Sequence, residues 1–174
     1  MNFHAINEVS SIRQSLLEYL DRKGILFCFV GNDDMKEKAV VKFAFDLRAN
    51  PCILYGSYHN RNKEIITIAH EAGHIILYKD MNREEARTYL CAMFASHGVG
   101  LSKISAAGQE CILLAEAGAS MNGYNILKEI GMMAEDLEKV TTIMAKWYTT
   151  YENLCKRKVI MKVREKILKR MEIF

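Results

Sequence analysis

The chain of 174 residues contains one proline, Pro51, and none follows it. Proline removes a helical hydrogen bond and clashes with the turn before it, so everything after Pro51 is free to run as helix. From Lys63 onwards the apolar residues do recur at helical spacing. Helices are expected near 62–79, 83–97, 103–120, 124–130 and 134–154, with breaks at Asp80-Met81-Asn82, His97 to Gly100, Asn122-Gly123 and Gly131. The last of these carries a core stripe at Leu137, Val140, Met144, Trp147, Tyr151 and Leu154. The first part of the chain has a different pattern. Val9, Ile12, Leu16, Leu17 and Leu20 mark an amphipathic helix that Gly24 ends. Ile25 to Val30 and Ala39 to Phe45 read as two strands around the turn Gly31-Asn32-Asp33-Asp34. Cys52 to Gly56 is a short third strand after the turn at Ala49-Asn50-Pro51. The expected fold is α+β, a small N-terminal antiparallel or mixed sheet followed by a helical bundle. Residues 1–174 show no repeat, low-complexity segment or linker, so a single domain is expected.

Half of the residues are hydrophobic, enough to bury a core. The longest apolar runs, such as Ile75-Ile76-Leu77 and Cys111 to Ala115, fall far short of the roughly 20 residues that cross a bilayer. Met1 to Gln14 lacks the basic start and apolar stretch of a secretory signal, which makes a cytoplasmic location the expectation. Cys28, Cys52, Cys91, Cys111 and Cys155 are odd in number and widely scattered, neither a disulfide framework nor a zinc knuckle. They read as small buried hydrophobes. The net charge of +3 is uneven: Cys155 to Phe174 carries eight Lys or Arg against two Glu, or +6, which leaves residues 1–154 at −3. The body therefore has no charge reason to bind nucleic acid. The tail, about 155–174, reads as a basic amphipathic helix whose apolar face, Ile160, Val163, Ile167, Met171 and Phe174, needs a cover. Its own bundle is one cover, and a partner or second copy of the chain another.

The chemistry sits in His70-Glu71-Ala72-Gly73-His74, a His-Glu-x-x-His pattern inside an expected helix. Four residues make slightly more than one turn, so both imidazoles leave one face and can share a zinc ion. Glu71 lies about 100° round the helix, within reach of a water at the metal rather than the metal itself. It is the expected general base, taking that water's proton and returning it to the leaving amine. Two histidines on an ordinary exposed helix would need no metal. This helix, however, is apolar nearly all round at Ile65, Ile66, Ile68, Ala69, Ile75, Ile76 and Leu77, and buried histidines need partners. Gly73 costs about 1 kcal/mol relative to Ala in a helix interior and so asks for a packing reason.

Catalytic zinc takes three protein ligands and an open position. His59, His97, Glu84, Glu85, Glu110 and Glu116 can be considered for the third. Glu85 is favoured, because it lies one turn before Tyr89 on the edge of the stripe Ala86, Tyr89, Leu90, Met93 and Phe94. Its alternative role is a capping box with Asn82, in which case Glu84 or Glu116 would ligate. Tyr78, Tyr89 and His97 are candidates for oxyanion stabilisation, without an assignment.

From Cys52 to Ala95, the order of short strand, polar loop, helix with His-Glu-x-Gly-His and helix opening Glu-Glu-Ala resembles the ImmA/IrrE family of small metallopeptidases. The resemblance implies a zincin fold, one zinc ion on His70, His74 and Glu85, and Glu71 as general base. It also implies a protein or peptide substrate, such as a DNA-binding repressor. Two other functions compete. Leu114 to Ser120 followed by Ile126 and Leu127 faintly suggests a DNA-binding helix-turn-helix, but hardly any basic residue stands between Gln109 and Asn125 to meet phosphate. A metal-holding scaffold or regulator without protease activity would have no chemical need for Glu71.

Overall fold

A computed structural model describes residues 3–31, 35–36, 38–43 and 50–171, with the backbone alone for 3–10 and 170–171. The first helix, α1 (Phe3–Arg22), ends where Gly24 takes a left-handed φ of 59°. The Ile25 N–H then bonds back to the Leu20 carbonyl, a closure that a side chain at position 24 would strain. Three strands follow, β1 (Leu26–Phe29), β2 (Ala39–Lys42) and β3 (Cys52–Tyr55). Their order in the sheet is β1-β3-β2, with β3 parallel to β1 and antiparallel to β2. The first two strands therefore do not pair as a hairpin. The strand with the fully buried Ile53 takes the centre, because it buries the most when flanked on both sides. Phe27, Ile53, Tyr55, Ala39 and Val41 pack into the core with the helices. Asn32, Asp33 and Asp34 of the expected first turn, Ala44 and Phe45 of the expected second strand, Ala49 and Phe174 lie outside the described residues.

Five further α-helices follow among the described residues: α2 (Arg61–Asp80), α3 (Arg83–Val99), α4 (Ala106–Glu129), α5 (Ala134–Glu152) and α6 (Arg157–Met171). The result is the expected α+β arrangement, a three-stranded mixed sheet and a helical bundle. Asn60 and Asn82 cap α2 and α3 with their side chains, and Ser105 caps α4.

The break expected at Asn122-Gly123 is absent, and α4 runs through it. A Cβ at position 123 would lie 3.0 Å from the Ala69 carbonyl oxygen and 3.0 Å from the Met144 methyl group. This glycine marks where α2 and α5 approach α4, and a helical glycine at a close contact looks like a helix stop in sequence. An uninterrupted α4 also removes the helix-turn-helix, whose turn would fall inside it.

Helices α2 and α4 make the most extensive contact between elements. Gly73 has its packing reason here: a Cβ there would lie 2.1 Å from the Ala119 carbonyl oxygen. The tail helix packs on its own bundle, with Val159 and Val163 buried against Leu113. Lys162 and Lys166 pair with Glu110, and Arg164 makes a two-pronged bond with Glu152, so acidic groups of the body meet the basic tail. None of the five cysteines is disulfide-bonded and none is fully buried; Cys28 and Cys91 are exposed. Cys28 lies on β1 with the exposed Leu26 and Phe29, and among the described residues β1 is an edge of the sheet.

Candidate metal centre

Helix α2 is buried along Ile65, Ile66, Ile68, Ala69, His70, Ala72, Gly73, His74 and Ile75. Because position 73 has no side chain, α4 can press against this face and bring Glu116 to the histidine pair. The Glu116 carboxylate lies 3.3 Å from His70 Nε2 and 3.6 Å from His74 Nε2. One ligand atom from each of His70, His74 and Glu116 can be chosen so that all lie within 4.8 Å of one another, and all three residues are buried. Such a buried His-His-Glu group can hold a metal ion.

The other nitrogen of each ring is also engaged. Ser120 Oγ lies 3.3 Å from His70 Nδ1, and Tyr89 OH lies 3.3 Å from His74 Nδ1. The two imidazoles stand edge to face at 4.8 Å between centroids, and Trp147 of α5 packs edge-on to His70 at 5.5 Å. Glu71 points elsewhere, as its place on the helix requires. Its Oε2 accepts a 3.1 Å hydrogen bond from the Val41 N–H of β2, an edge strand among the described residues.

Electrostatics separate the two carboxylates. Burial acts to raise the pKa of Glu116, but hydrogen bonds from His70 and His74 and their charge overcome it and hold the group at about 2. Glu71 is pushed up to about 7, chiefly by burial, with Glu116 adding to the rise and His70 and the Val41 bond opposing it. The environment thus favours the charged form of Glu116 and the neutral form of Glu71. Tyr89 and Tyr151 are both pushed up, first by burial and then by the charges of Glu116 and Glu71, so their hydroxyls stay protonated.

Glu85 is not in this group. Its carboxylate accepts from the Asn82 N–H at 2.9 Å, while Asn82 Oδ1 accepts from the Glu85 N–H, a complete capping box on an exposed turn. Glu85 lies in the first turn of α3, where its carboxylate is taken up by the cap, whereas Tyr89, one turn further along, reaches His74 with its hydroxyl. Glu116, one of the alternatives for the third position, is brought to the pair instead. Glu84, His59 and His97 are exposed, and Glu110 faces the tail. Tyr78 packs on Phe43 rather than on the histidines. Ser120 was missed by sequence reasoning; its only signal is that it lies four residues after Glu116, on the same helix face.

Fold and site together define an α+β chain with a buried group on its central helix pair that can hold a metal ion. Residues 21–98 match the family model Peptidase_M78, described as the IrrE N-terminal-like domain. The match includes His70, Glu71, His74 and Glu85 and ends before Glu116. No match was found among curated proteins or among solved structures. No helix among the described residues is long and apolar enough to cross a membrane.

Proposed function

We propose that the protein is a metal-dependent peptidase in which His70, His74 and Glu116 hold zinc and Glu71 is the general base. The convergence of the two Nε2 atoms on the Glu116 carboxylate carries this reading, because the nitrogen and oxygen donors suit zinc and each ring has its second nitrogen occupied. When bound, zinc supplies Lewis acidity to the peptide carbonyl and to the attacking water. Glu71 would accept the proton of that water and pass it to the leaving amine. Burial of the site strengthens each of these interactions by excluding water. The substrate is a protein or peptide, and the family resemblance points to a DNA-binding repressor.

The near-complete burial of all three ligands favours a second reading, a scaffold or sensor that holds metal without cleaving. Metal analysis and peptide cleavage decide between them. The wild-type protein should carry about one zinc per chain. Glu116→Gln should lose it, while Glu85→Gln should retain it. Glu71→Gln should keep zinc and fold but cleave no member of a peptide library, since the amide cannot accept a proton. Wild-type protein that takes up no zinc refutes the metal site, and loss of zinc from Glu85→Gln but not Glu116→Gln transfers the third position to Glu85. Full cleavage by Glu71→Gln removes it as the base, and zinc binding without cleavage in any form leaves the scaffold.

A further inference from the structure

Resting on that metal site, we infer that Ser120 and Tyr89 are positioning residues that fix the ring orientation and tautomer of His70 and His74. An imidazole can offer a lone pair from Nε2 only if its remaining proton is on Nδ1, so the group facing Nδ1 decides whether the ring is ready to bind metal. Both Nδ1 atoms here face a hydroxyl oxygen at 3.3 Å, Ser120 for His70 and Tyr89 for His74. Both Nε2 atoms face the carboxylate.

A hydroxyl suits this place because it both donates and accepts. With metal bound, each oxygen accepts the Nδ1 proton. Without metal, each hydroxyl can donate to Nδ1 while Nε2–H donates to Glu116, so no buried polar atom of the cluster is orphaned. A carboxylate, which only accepts, could serve the first state alone. Tyr89 is held by packing, with only 4% of its surface exposed. Ser120 follows Glu116 by one turn, so the helix that supplies the third ligand also orients the first. The two hydroxyls come from different helices, α3 and α4, and each acts through one histidine.

The test compares wild type with Ser120→Ala, Ser120→Thr and Tyr89→Phe as full-length proteins. Zinc affinity is measured by competition with a chromophoric chelator, and the ring tautomers by nitrogen-15 NMR of labelled histidine before and after zinc addition. Ser120→Ala and Tyr89→Phe should each bind zinc about 10- to 100-fold more weakly. Ser120→Thr, which keeps the hydroxyl, should restore wild-type affinity. In the wild-type protein zinc should place the proton of both rings on Nδ1. Removing one hydroxyl should alter the nitrogen signals of its own histidine and leave the other's unchanged, a selectivity that general loosening of the fold would not produce. Affinities within twofold of wild type in both deletions, or equal disturbance of both rings by each deletion, overturn the inference while leaving the metal site standing. Wild-type protein without zinc affinity overturns both.

Discussion

Gly73→Ala should be destabilising, although alanine is the better helix former. In an open helix the change would gain about 1 kcal/mol. Here the new methyl would lie 2.1 Å from the Ala119 carbonyl oxygen and 2.9 Å from its carbon, both backbone atoms that no rotamer change can move. Ordinary contact begins at 3.4 Å, so α2 and α4 would have to part by about 1.3 Å. Overpacking of this kind costs about 1–3 kcal/mol. Setting the helical gain against the upper part of that range leaves a net loss of about 1–2 kcal/mol, which in a chain of this size lowers Tm by about 2–8 °C. The same separation draws Glu116 away from two rings that it now meets at 3.3 and 3.6 Å, so zinc affinity should fall at least tenfold. Gly98 is the control. It also lies in a helix, nothing stands within 4 Å of a Cβ built there, and Gly98→Ala should be neutral or stabilising by up to about 1 kcal/mol. Calorimetry of the metal-free proteins and chelator competition measure both effects. A Gly73→Ala protein that melts at or above the wild-type temperature would refute the argument, because propensity would then outweigh the contact.

Glu85→Ala should cost about 0.3–1.5 kcal/mol through loss of the reciprocal half of the capping box, read by chemical denaturation, with zinc stoichiometry unchanged. Glu110, lowered by its hydrogen bonds to Lys162 and Lys166, contributes stability that is complete above its unfolded pKa of about 4 and is lost as pH falls through the lower folded value. Acid unfolding of Glu110→Gln should therefore lack that part of the pH dependence; an unchanged profile would show that the pair adds nothing. Truncation after Leu154 removes Val159 and Val163 from Leu113 and should lower solubility or change the oligomeric state in size-exclusion chromatography, whereas identical behaviour would mean that the contact is dispensable.

The local part of this protein was legible in its sequence because local rules govern it. Helical periodicity after Pro51 gave most of the helices to within a few residues, and the five-residue motif put His70 and His74 on one helix face and Glu71 off it. The same rules wrote both roles of Glu85, ligand and cap, into one stretch of chain and had no means to choose. Tertiary structure chose the cap: the Glu85 carboxylate accepts from the Asn82 N–H, and Tyr89, one turn further along α3, is the residue that reaches His74. It also placed β3 between β1 and β2, since strand order depends on which strand buries most and not on which comes next. Gln109 shows the same limit: fully buried, it donates to the Leu101 carbonyl and accepts from the Lys156 N–H, joining segments far apart in sequence that no periodicity connects. Glu116 and Ser120 come to the histidines from a distance of more than 40 residues, through a helix crossing that two glycines permit. A sequence announces the residues that share a helix turn, whereas those that share a metal site across a crossing are fixed by how closely two backbones can approach.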